Sequence, residues 1–101
     1  MKLVHITFRF EYTDRIDKIL DENGITDYVN YPMVQGSGQD GKHMGSKVYP
    51  GNFTVVQALV DDKKIPPLLD NLEAFRTEKP ARRHLRAVVM PVETGLGIES
   101  S

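Results

Sequence analysis

The run Phe53-Thr54-Val55-Val56-Gln57-Ala58-Leu59-Val60 limits what this chain can become more than any other segment. It is β-branched and almost continuously apolar, so it reads as a central strand flanked by other strands and covered on its faces. At 101 residues the chain makes one domain, and the remaining sequence must supply that cover. Leu3 to Phe10 supplies a neighbour. Val4, Ile6, Phe8 and Phe10 alternate with His5, Thr7 and Arg9, the period of a strand with one buried face.

Two helices follow from spacing. After Thr13 or Asp14, either of which can cap a helix by accepting from a first-turn amide, Ile16, Ile19 and Leu20 form an apolar stripe. Gly24 stands where a left-handed terminator belongs. The second stripe is Ile65, Leu68, Leu69, Leu72 and Phe75. Asp61 or Asp62 offers its cap, Pro66-Pro67 fits its first turn, and Pro80 ends it. Ile25 to Val34, with Tyr28, Val29, Tyr31 and Val34 as its apolar set, reads as a strand whose Pro32 marks an edge or a bulge. His84 to Val92 reads as the last strand, with Met90 in its apolar set and in the core.

The order is β-α-β-β-α-β. It predicts an α+β, ferredoxin-like βαββαβ sandwich, an antiparallel sheet with two helices on one face. The sheet face away from the helices, carrying Leu3, Thr7 and parts of the central strand, needs a cover, which predicts an oligomer. The folded domain is expected over residues 1–93, with a loose tail at 94–101.

Residues 35–52 interrupt the strand patterns with five glycines and almost nothing apolar. A structureless loop of this length inside a small domain is usually functional or disordered. Gly36-Ser37-Gly38-Gln39-Asp40-Gly41 has the form GxGxxG, yet more loop and a strand follow instead of a helix, which excludes a dinucleotide cradle. Glycine amides beside Lys42 remain suited to an anion. A second basic feature is Lys79-Pro80-Ala81-Arg82-Arg83-His84-Leu85-Arg86 at the start of the last strand. Its arginines suit bidentate contacts with phosphate or carboxylate; the structural alternative is pairing with Glu73 or Glu78. The net charge of −1 and the lack of aromatics among these cations argue against nucleic acid. With no cysteine, thiolate metal sites and cysteine nucleophiles are excluded. His5, His43 and His84 lack the spacing of a dedicated metal site, and no nucleophile stands beside a base, so no catalytic residue and no enzyme activity is expected. No long apolar segment is present, and the cytoplasm is the expected location.

Gly36-Ser37-Gly38 leaving the second strand, Gly41-Lys42-His43 within the loop, and Val89-Met90-Pro91-Val92-Glu93 closing the last strand together resemble the PII signal-transduction proteins and their divergent PII-like relatives. The resemblance covers roughly residues 3 to 93. It implies a homotrimer, with residues 36–52 forming the projecting T-loop that meets a membrane transporter or an enzyme. Adenine nucleotide, or another small anionic ligand, is the implied ligand, bound in clefts between subunits. By the same match, Gly36, Gly38 and Lys42 at the loop base and Arg82, Arg83 and Arg86 near the last strand are the ligand-binding candidates. Gln39, His43, Lys47 and Tyr49 are the partner-facing loop residues. The family's glycine-rich phosphate loop is replaced here by Glu78-Lys79-Pro80-Ala81-Arg82-Arg83-His84, and Gln39 stands one place earlier than the family's glutamine. Two other readings share the fold pattern: a metal-handling trimer resembling the divalent-cation-tolerance family, and a dimeric α/β-barrel enzyme with a cavity lined by His5 or His84.

Overall fold

The computed structural model describes residues 1–34, 36–38, 41–43 and 53–98. The elements are β1 (Lys2–Arg9), α1 (Thr13–Glu22), β2 (Tyr28–Val34), β3 (Gly36–Gly38), β4 (Gly41–His43), β5 (Phe53–Val60), α2 (Ile65–Thr77) and β6 (Arg86–Pro91). Short 3-10 helices at Phe10–Tyr12, Asp62–Lys64 and Pro80–His84 join them. The main sheet has the order β2-β5-β1-β6, and each of its pairings is antiparallel. The apolar run at Phe53–Val60 is therefore an interior strand, and β2, with Pro32, is an edge strand whose register shifts between Tyr31 and Val34.

Alternation along β1 sorts the sheet into two faces. Val4, Ile6 and Phe8 are fully buried and lie opposite Ala58, Val56 and Thr54 of β5. Ile16 and Leu20 of α1 and Leu68, Leu72 and Phe75 of α2 join the same core, so both helices cover one face. The opposite face carries Leu3, His5 and Thr7 of β1, Val55, Gln57 and Leu59 of β5, and Arg86, Val88 and Met90 of β6. Val29 and Tyr31 of β2, paired with Gln57 and Val55, extend it. His5 is an ordinary sheet histidine, its Nδ1 lying 3.4 Å from Gln57 Nε2.

The ends of the elements depart from expectation in several places. Phe10 does not continue the buried face; the chain turns into a 3-10 helix there and leaves the ring exposed. Helix α1 has no side-chain cap, and Thr13 Oγ1 donates instead to Phe10 O at 2.6 Å. Its far end behaves as the glycine predicts. Gly24 adopts φ 69°, its amide bonds Asp21 O (3.0 Å), and the Ile25 amide bonds Leu20 O (2.9 Å). These two bonds make a Schellman motif, and Ile25 and Leu20 are both buried above it. Ile25 is thus a capping contact, and β2 begins three residues later. Asp62 is no cap either: it binds the amino terminus at 2.7 Å. The last strand is Arg86–Pro91, shorter than 84–92, because Pro80–His84 coils into a 3-10 helix. Met90 lies on the uncovered face, more than a third exposed, and not in the core.

Within the glycine-rich insert, residues 36–38 and 41–43 are not irregular. They pair as a two-stranded ribbon with Gly36 opposite His43, Ser37 opposite Lys42 and Gly38 opposite Gly41. Gln39, Lys47 and Tyr49 lie outside the described residues, as does all of the insert after His43.

One partly buried acid yields a pH prediction. Asp17 on α1 has Oδ1 out of solvent without a partner. Burial raises its pKa, the charges of Asp14 and Asp21 add to the rise, and a hydrogen bond from Asn30 opposes it. With the folded value above the unfolded one, the native state binds more protons than the unfolded chain between about pH 4 and the folded value. The wild type therefore loses stability over that window. Asp17→Asn should be the more thermostable protein at pH 7, and the advantage should shrink towards pH 3 in a thermal-melt series.

Candidate functional site

The candidate site is one end of the sheet, and the strand register builds it. Arg9 at the end of β1 lies opposite Phe53 at the start of β5, and Val34 at the end of β2 lies opposite the same Phe53. Arg86 at the start of β6 lies opposite Thr7. The base of the glycine insert and the basic turn before β6 therefore emerge at the same end. Gly36 and Gly38 continue from β2, with Lys42 and His43 across the ribbon from Ser37 and Gly36. Because β2 and β6 are the two outer strands, the strand ends that lead to these groups stand at opposite edges, three strand spacings or roughly 14 Å apart. They share an end of the sheet.

Among the basic residues, the structure separates Arg82 from Arg83 and Arg86. Arg82 is buried. Its guanidinium lies 3.9 Å from the centroid of Phe75 and 5.5 Å from that of Tyr12, and these two rings meet edge to face. Nη1 donates to Phe75 O (3.1 Å) and to Glu78 Oε1 (2.8 Å). Arg82 is thus committed to the interior through the structural pairing with Glu78, and its Nε is buried with no partner among the described residues. Arg83 and Arg86, by contrast, are exposed. His84 between them packs edge to face on the buried ring of Phe53, with centroids 6.3 Å apart.

Arg76 is the residue that sequence reasoning missed. From α2 its Nε donates to Leu85 O (3.0 Å) and Nη2 to Arg83 O (3.3 Å), while Nη1 is 3.5 Å from Glu73 Oε1. An arginine on the outer side of an amphipathic helix gives no signal of this role, since such residues are usually solvated. Beside it, α2 and β6 bound an open groove of about 470 Å³ lined by Leu69, Glu73, Arg76, Leu85, Arg86 and Val88.

Chemically, this end of the sheet is cationic and rich in N–H donors, an arrangement suited to phosphate or carboxylate oxygens. No group of three or more histidine, aspartate or glutamate side chains that could hold a metal ion occurs among the described residues. No helix among the described residues is long and apolar enough to cross a membrane.

The fold is that of the PII-like proteins. The chain superimposes on CPII, a nitrogen regulatory PII-like protein from Thiomonas intermedia K12 bound to ADP, AMP and bicarbonate, with a TM-score of 0.74, 18% identity and 93% of each chain covered. The apo form of CPII matches with a TM-score of 0.66 and 16% identity, over 87% of this chain and 84% of that one. A proposed PII-like signaling protein from Thermus thermophilus matches with a TM-score of 0.57 and 17% identity, over 87% and 80%. No protein-family model and no curated protein matches the sequence.

Proposed function

We propose that this chain is a divergent PII-like signalling protein of the cytoplasm. In this reading it forms a homotrimer, binds an adenine nucleotide, with or without a small anion, in the clefts between subunits, and controls a transporter or enzyme through residues 36–52. The observation that carries the proposal is the convergence of the insert base and the Arg83–Arg86 turn on one sheet end, in a fold that follows CPII over 93% of both chains. The ADP, AMP and bicarbonate of CPII supply the ligand class. The roughly 14 Å between the two edges suits a ligand lying across the sheet end, with its phosphates on the arginines. Assembly is supported by the face away from the helices, where Val29, Tyr31, Val88 and Met90 are 53%, 49%, 45% and 38% exposed. Exposed apolar side chains gathered on one sheet face are a reason for copies of the chain to associate.

Calorimetric titration of ADP, AMP and ATP, each with and without bicarbonate, tests the ligand. At least one nucleotide should bind saturably, and Arg83→Ala and Arg86→Ala should each weaken it about tenfold, the cost of one charge-assisted hydrogen bond. Absence of binding by the wild type at millimolar nucleotide would overturn the reading.

A further inference from the structure

We propose that Arg76 is a positioning residue for the basic turn: anchored on α2, it fixes Pro80–His84 and the entry to β6 so that Arg83 and Arg86 face an anion in one orientation. The inference rests on the anion-binding reading of that turn. Three observations carry it. Every nitrogen of the Arg76 guanidinium has a partner in the chain: Nε on Leu85 O, Nη2 on Arg83 O, and Nη1 near Glu73. The two carbonyls it holds flank His84, which puts the grip between the two exposed arginines. The clasp is also reciprocal, because Arg82 reaches back from the turn to Phe75 O on α2.

The Arg76 clasp adds to other contacts of the turn, among them those of Arg82 with Phe75 and Glu78 and of His84 with Phe53. The turn's own backbone supplies the Arg82 amide to Lys79 O (3.0 Å) and the Leu85 amide to Arg82 O (3.1 Å). No glycine occurs between Glu78 and Arg86, so the close backbone approach that glycine permits is not offered here. Anion recognition then falls to long side chains, whose ordering on binding carries an entropic cost. A backbone already fixed by Arg76 removes part of that cost. A lysine at the same place keeps the charge but loses the planar fork that spans two carbonyls.

The test uses the full chain with ADP as the probe. Arg76→Lys should weaken ADP roughly tenfold through lost preorganisation and speed hydrogen exchange at the Arg83–Arg86 amides. The salt dependence of binding should stay as in the wild type, because the charge is unchanged. Arg83→Ala should instead reduce the salt dependence. If Arg76→Lys folds poorly, Arg76→Gln, which keeps a donor for one carbonyl but loses the charge, should weaken ADP and speed exchange at least as much. Unchanged affinity and unchanged exchange in these variants would overturn the proposal. If the wild type binds none of ADP, AMP and ATP, the function reading fails separately, and exchange in the ligand-free variants still decides whether Arg76 fixes the turn.

Discussion

Phe8→Ala should lower the unfolding free energy by about 3–5 kcal/mol, the largest single-residue effect expected in this protein. Phe8 is fully buried on the helix-facing side of β1, opposite Thr54 of the interior strand β5. Truncation removes the ring's transfer free energy and leaves a cavity that strands held on both sides cannot close. A domain of this size has about 5–15 kcal/mol in total, so the urea midpoint should fall by a large fraction while the slope changes little. Phe10→Ala is the contrast. Two residues along the same strand pattern, Phe10 is 45% exposed, and its loss should cost about 0.5 kcal/mol or less. Equal costs for the two would contradict the assignment of the buried face.

Arg82→Ala is expected to cost about 2–4 kcal/mol, from the lost charged hydrogen bonds, the lost stacking on Phe75 and the vacated stem volume. Glu78 stays half exposed and can be rehydrated, which keeps the loss below that of a fully buried ion pair. Arg82→Met separates the contributions. It retains the stem and a sulfur-aromatic contact with Phe75, drops both hydrogen bonds, and also removes the buried Nε that lacks a partner. Roughly half of the alanine loss should return. Chemical denaturation of the three proteins measures this. A methionine variant as unstable as the alanine variant would mean that the hydrogen bonds, and not the packing, hold the turn.

The contrast between Arg82 and Arg83 shows where sequence stops being informative. Both stand in one basic run, and composition treats them alike. The fold turns Arg82 inward because the 3-10 helix at Pro80–His84 shortens the strand and sets its guanidinium over Phe75. A strand reading through His84 could not place it there. Where one physical pattern dominates a segment, sequence and structure agree: the apolar run at 53–60 is an interior strand, Ile65, Leu68, Leu72 and Phe75 of the second stripe join the core while Leu69 lines the groove, and Gly24 closes α1 with positive φ. Phe10 kept the strand's alternation after the strand had ended, since the 3-10 helix that follows leaves no mark in periodicity. The ribbon at 36–38 and 41–43 was illegible for the opposite reason. Its pairing is backbone to backbone through glycines, with no apolar alternation to announce it. Among the site groups, only the family resemblance links insert base and basic turn in the sequence; their shared sheet end and their placement on opposite edges required the strand pairing.

The central claim is that an adenine nucleotide binds at this end of the sheet, and amide chemical-shift mapping of the labelled protein during an ADP titration tests it most directly. The account predicts saturable shifts at Gly36 and Gly38, at Thr7 to Arg9, and from Arg83 to Arg86, with little change along the solvent side of α1 at Arg15, Lys18 and Glu22. Shifts confined to α1, or none at saturating ADP, would contradict it.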